Sequence, residues 1–143
     1  PFPRLCTASA AGRFRAMKLI LIAGLGGAFG AAGRYALTSL LLRVMGPNFP
    51  WGTLAVNVLG SLAMGFALGY FQYRIEAFSP ELRLFLTVGV LGGFTTFSAF
   101  SLDVVSLIQR QDLWGAALYV GISVVLSVIA LAAGLFAARA GLA

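Results

Sequence analysis

Four apolar runs fill this chain, at residues 19–44, 51–73, 82–108 and 113–138. Each reaches the roughly 20 residues that carry a helix across the hydrocarbon core of a bilayer. In lipid every backbone amide and carbonyl has to be satisfied internally, so runs of this length are restricted to helices. The chain is 60% hydrophobic and 10% charged, whereas about a quarter of the residues in soluble domains are charged. These features predict an all-α membrane protein with four transmembrane helices and little mass outside the bilayer. The lone Cys6 allows no internal disulfide, histidine is absent, and nothing resembles a metal cluster or a catalytic triad, so the pattern points away from an enzyme. The net charge of +6 is spread thinly along the chain, which fits loops held at lipid headgroups rather than a nucleic-acid footprint.

Residues 1–16 carry Arg4, Arg13 and Arg15 and do not begin with methionine, whereas Met17-Lys18 reads as a natural start. The expected organisation is a disordered or non-native upstream segment at 1–16 and one four-helix transmembrane domain at 17–143. A cleaved signal peptide is disfavoured, because the apolar run continues to Val44 with no polar mature region behind it. In the first span Gly26 and Gly30 are four apart, and Ala23, Gly27 and Ala31 repeat the spacing beside them, which predicts close packing on another helix. Arg34, late in this span, either snorkels to the interface or faces a water-filled mouth that draws anions in.

The third run contains the one stretch that does not favour a plain membrane helix. Drawn straight from Glu81 to Gln109 it would be about 43 Å long at ~1.5 Å per residue, against a core of about 30 Å. Gly92 and Gly93 lower helix propensity, and Thr95, Thr96, Ser98 and Ser101 carry hydroxyls that compete for backbone hydrogen bonds, so a break is expected here. Backbone groups freed at membrane depth are tolerated only where protein buries them or where they line a polar path, which points to ion or substrate handling. Phe94, Phe97 and Phe100 recur at helical spacing beside the hydroxyls. They are either packing or, through their electropositive ring edges, anion contacts. Asp103, near the end of the span, either pairs at the surface or neutralises a basic mouth.

Asn57 lies about two turns inside the second span, with Ser61, Gly65 and Gly69 on the same face. An uncharged amide in lipid needs partners, so Asn57 is either helix-helix glue or a pore ligand. Tyr70, Tyr73 and Arg74 close that span. In the fourth, Gly115, Tyr119, Ser123 and Ser127 follow one another at four-residue spacing and share one face. Their hydroxyls either bond back to the preceding turn or face a file of water and ions. Lys18, Arg74, Arg83 and Arg139 fall on one side and Arg43 and Arg110 on the other. So weak a bias permits insertion in both directions, hence a two-fold dimer of opposed copies.

Three motifs carry a family resemblance: Gly30-Ala-Ala-Gly-Arg-Tyr35, Trp51-Gly-Thr-Leu-Ala-Val-Asn57 with Gly60 after it, and Gly92-Gly-Phe-Thr-Thr-Phe-Ser-Ala-Phe-Ser101. Across residues 17–143 the chain resembles the Fluc (CrcB-type) fluoride channels. The resemblance implies a broken third helix, an antiparallel dual-topology homodimer in a bacterial plasma (inner) membrane, and passive export of fluoride. It also implies a structural sodium ion held at the dimer centre by the backbone carbonyls of Gly92 and Thr95 from both subunits. By position it places Asn57, Phe97, Ser98, Phe100, Tyr119, Ser123 and Ser127 along the fluoride pathway and Arg34 near a vestibule. The chain departs from the common pattern at Ala99, where many members have Thr, and at Asp103, where Glu is frequent. The partners implied are fluoride, sodium, the bilayer and a second copy, with no nucleic acid. Two other readings compete. A small dual-topology multidrug exporter needs a membrane-embedded carboxylate, and Asp103 is the only acid inside any of the four runs. A non-transporting assembly subunit would leave the Thr/Ser/Phe cluster without a purpose.

Overall fold

The computed structural model describes residues 10–73 and 78–141; Arg74, which the sequence reading places at the end of the second span, lies outside them. The described residues are helical almost throughout: α1 (Ala10–Met45), α2 (Trp51–Tyr73), α3 (Pro80–Leu84), a π-helical segment (Phe85–Leu91), α4 (Gly92–Phe94), α5 (Phe97–Gln109) and α6 (Leu113–Ala140). Four spans are long and apolar enough to cross a bilayer, at Gly12–Met45, Trp51–Tyr73, Pro80–Gln109 and Leu113–Ala140. The protein is thus a multi-pass helical membrane protein. The first helix runs continuously from Ala10 through Met17, so residues 10–16 extend the first span upstream, where the sequence reading expected no element.

Each turn has a local cause. Gly46 ends α1 with φ of 79°, its amide bonded to the Leu42 carbonyl at 3.0 Å, a left-handed stop that glycine adopts without strain. Ser79 caps α3 by accepting from the Leu82 amide at 3.2 Å, with Pro80 in the first turn. Asp112 caps α6, its Oδ1 accepting from the Gly115 amide at 2.8 Å. At one end of the bundle Lys18 Nζ and Glu81 Oε1 pair at 3.2 Å. At the other, Arg110 Nη1 donates to the Pro47 carbonyl at 3.3 Å.

Small residues set the helix spacing. A Cβ on Gly26 would lie 2.7 Å from the Phe85 carbonyl oxygen, and one on Gly93 would lie 2.6 Å from that of Gly27. At Gly30 it would run into the Val90 carbonyl and stand 2.7 Å from the Phe94 amide. The glycine stripe of α1 therefore lets the third span lie backbone against backbone, as its four-residue spacing predicts. A similar seam joins α2 to α6, where Gly65 meets the Leu131 carbonyl and Gly134 meets that of Leu62. Gly60 admits the side chain of Thr95 at the break.

Candidate functional site

The third span breaks where the sequence predicts. Helix α4 ends at Phe94; Thr95 (φ −73°, ψ 154°) and Thr96 (φ −153°, ψ 124°) are extended, and the helix restarts at Phe97. Two extended residues remove the regular i to i−4 ladder, and part of what it frees is paired locally. Thr96 Oγ1 caps α5 by accepting from the Ala99 amide at 3.2 Å. Asn57 reaches across from α2: its Oδ1 accepts from the Thr96 amide at 2.8 Å, and its Nδ2 donates to the Thr96 carbonyl at 3.0 Å. One side-chain amide thus satisfies both backbone groups of one extended residue, as a paired strand would. Asn57 is interhelical glue, and its remaining Nδ2 hydrogen stays available, because an amide nitrogen carries two.

The same break strips the carbonyls of residues 92–95 of their helical donors, those of Gly92 and Thr95 among them. In an unbroken helix Gly92 and Thr95 would accept from the amides of Thr96 and Ala99; those amides instead bond Asn57 Oδ1 and Thr96 Oγ1. Both residues line the groove described next. Two neutral oxygens diverted from their ladder suit a hard monovalent cation, and a single chain supplies half the set that the resemblance implies.

A groove of about 490 Å³ opens beside the break and is lined by Asn57, Ser61, Thr95, Phe97, Phe100, Ser123 and Ser127, among others. It gathers residues from the second, third and fourth spans at mid-depth. Several hydroxyls bond back to their own turn: Thr38, Thr87, Thr95, Ser101 and Ser106 each donate to the carbonyl four residues earlier, at 2.8 to 3.0 Å. Ser123 and Ser127 do not. Their Oγ atoms are buried and, among the described residues, no partner meets them at hydrogen-bonding geometry, the Tyr119 hydroxyl near Ser123 being turned to Asp103 instead, although a back-bond is open to any helical serine. A buried polar atom left unpaired calls for an explanation, and both residues line the one groove.

Tyr119 stands apart from that stripe. It is fully buried at 0% exposure, edge-on to Phe49 with centroids 5.5 Å apart and tilted on Phe100 at 5.3 Å. Its hydroxyl donates to Asp103 Oδ2 at 3.1 Å. Tyr119 therefore walls the groove from behind Phe100 and turns its polar end toward Asp103, a partnership that the sequence reading missed. Phe97 and Phe100 pack at 5.5 Å with a 39° tilt, and Phe97 is 79% exposed.

Besides Tyr119, two sequence-predicted residues, Ser98 and Arg34, fall outside the groove. Ser98 is exposed at the α5 N-terminus, next to the groove rather than on its wall, and exchanges a hydrogen bond with Thr96 Oγ1 at 3.1 Å. Arg34 is half-buried on α1, one turn beyond Gly30, and no ion-pair partner for it stands among the described residues. A second cavity, of about 270 Å³, lies nearer the bundle end that carries the 46–50 loop, lined by Asn48, Thr53, Asp103, Ser106 and Arg110 among others.

Comparison with known proteins adds a family. A sequence model described as CrcB-like protein, Camphor Resistance (CrcB), matches residues 21–135. The chain is 50% identical over 120 residues to a protein of Agrobacterium fabrum named fluoride-specific ion channel FluC, covering 84% of this chain and 95% of that one. Proteins of the same name resemble it in Rhizobium meliloti, at 48% over 124 residues (87% and 98% covered), and in Rhodospirillum centenum, at 49% over 127 residues (89% and 100% covered). With the broken third span, the Asn57 clamp and the matched length all in place, the chain belongs to the CrcB-like family.

Proposed function

We propose that this chain is the subunit of a fluoride-selective channel that lets fluoride leave the cell passively, down its electrochemical gradient, through a bacterial inner membrane. The observation that carries the reading is the pair of buried, unpartnered hydroxyls of Ser123 and Ser127, two residues that line the groove beside the break. Fluoride is small and strongly hydrated, so a pore has to replace its water with hydrogen donors. Neutral donors do this without a full charge that would trap the ion. Ser123 and Ser127 offer two, the second Nδ2 hydrogen of Asn57 offers a third, and the ring edges of Phe97 and Phe100 offer partial positive charge. The names of the relatives agree with this chemistry.

The working unit is a homodimer of opposed copies. A groove open along one side, with Phe97 largely exposed and Gly92 at the surface, is half of a pathway, and a second copy supplies the missing wall. At its centre a sodium ion would be held by the Gly92 and Thr95 carbonyls of both copies, compensating oxygens that have lost their helical donors. A proton-coupled drug exporter is disfavoured, because Asp103, the only acid inside the four apolar runs, is engaged by the Tyr119 hydroxyl.

The test is anion efflux from liposomes loaded with either fluoride or chloride. Rapid loss of fluoride with retention of chloride is expected; equal rates would reject selectivity, and no flux would reject the channel.

A further inference from the structure

The second cavity is not absorbed by the site above, yet it adjoins it. Its lining includes Asp103, whose carboxylate accepts from Tyr119; Tyr119 packs on Phe100, and Phe100 lines the groove. A continuous set of side chains thus runs from the groove to this cavity. An anion on that route meets the Asp103 carboxylate, which by charge alone opposes it. Two like charges at contact distance repel strongly where water is scarce, enough to oppose passage through a pore. Opposite charge has to stand near the same place. The only cationic side chain on the cavity wall is Arg110. It is exposed, and its one hydrogen bond, from Nη1 to the Pro47 carbonyl at 3.3 Å, holds the head over the 46–50 loop and uses one of five N–H donors.

We infer that this cavity is the outer mouth of the anion route, and that Arg110 is the residue that makes it attractive to anions by offsetting Asp103. The assignment rests on the channel reading above. Asn48, Thr53 and Ser106 share the wall and give the mouth a polar rim on which a partly hydrated anion is exchanged for bulk water. A cation at a narrow entrance raises the local anion concentration, and the effect weakens as salt screens it.

Charge and strap are separable. Arg110→Gln keeps an amide donor for Pro47 but removes the charge; Arg110→Lys keeps the charge but loses the planar fork. Initial fluoride efflux from liposomes, read at low and high concentrations of an impermeant salt, is expected to fall roughly tenfold in the Gln variant at low salt and to differ less at high salt, with Lys close to wild type. As a second measurement, Arg110→Cys in a Cys6→Ser background is labelled with a cationic or an anionic thiol reagent; the cationic label alone is expected to restore flux. Wild-type flux in the Gln variant, equal loss in Gln and Lys, or restoration by either label would overturn the inference while leaving the channel reading intact. A wild-type protein that passes no fluoride would reject the channel reading itself.

Discussion

Replacing Asn57 by Asp changes one atom of the clamp that holds the broken span. Aspartate keeps the acceptor for the Thr96 amide, at 2.8 Å in the native pair, but sets a carboxylate oxygen where Nδ2 now donates to the Thr96 carbonyl at 3.0 Å. The carbonyl, which also caps the first turn of α5, loses this donor and meets a carboxylate oxygen in its place, a loss of about 1–3 kcal/mol. The effect on conduction is larger. A full negative charge about 4 Å from a passing anion adds on the order of 4 kcal/mol at an effective dielectric of ~20, and at about 1.4 kcal/mol per decade this slows flux by roughly a thousandfold. The assay is fluoride efflux at neutral pH, paired with a melting curve of the purified protein. Asn57→Asp is expected to melt a little earlier and to conduct almost nothing, whereas Asn57→Leu, which removes both bonds, is expected to melt earlier still. Wild-type flux in Asn57→Asp would refute the placement of this amide on the ion's route, and a wild-type melting curve in Asn57→Leu would refute the clamp.

Three further outcomes follow from the same geometry. Gly30→Ala drives a methyl into the Val90 carbonyl and the Phe94 amide and is expected to destabilise by about 1–3 kcal/mol, while Gly24→Ala, with nothing within 4 Å, is expected to be neutral or slightly stabilising in the same melt. Phe97→Ile and Phe100→Ile remove ring edges while keeping apolar bulk, so fluoride flux should fall with the size-exclusion elution position unchanged from wild type; unaltered flux would return both rings to packing. Replacing sodium by a heavier monovalent cation should give one anomalous peak between the Gly92 and Thr95 carbonyls of paired copies, and a dimer structure without it would remove the ion from the account.

Much of this was legible in the chain. The apolar runs mark all four spans, and the second coincides with Trp51–Tyr73, because Pro50 and an interfacial tryptophan fix its start. The break falls on Thr95 and Thr96 because two glycines weaken the helix just before two residues whose hydroxyls rebind the backbone. The glycine spacing of α1 foretells its close seam with the third span. Other features depend on what packs against what, which local pattern does not encode. The π-helical turns of Phe85–Leu91 have no composition to mark them. That Asn57 would meet Thr96 is a contact across 39 residues. The four-residue register of the fourth span gives Tyr119, Ser123 and Ser127 one face, but not that Phe49 and Phe100 would seal the tyrosine away and leave the serines on the groove. Ser98 belongs to the same motif as its neighbours, and the helix restart at Phe97 turns it outward.

The claim at the centre is that hydroxyls left unpartnered in the native fold are reserved for the passing ion. Ser123→Ala with Ser127→Ala tests it most directly, since removing unsatisfied buried hydroxyls leaves folding unharmed or improved. The double variant should melt at or above the wild-type temperature and release fluoride from liposomes far more slowly; release at the wild-type rate from an equally stable protein would contradict the account.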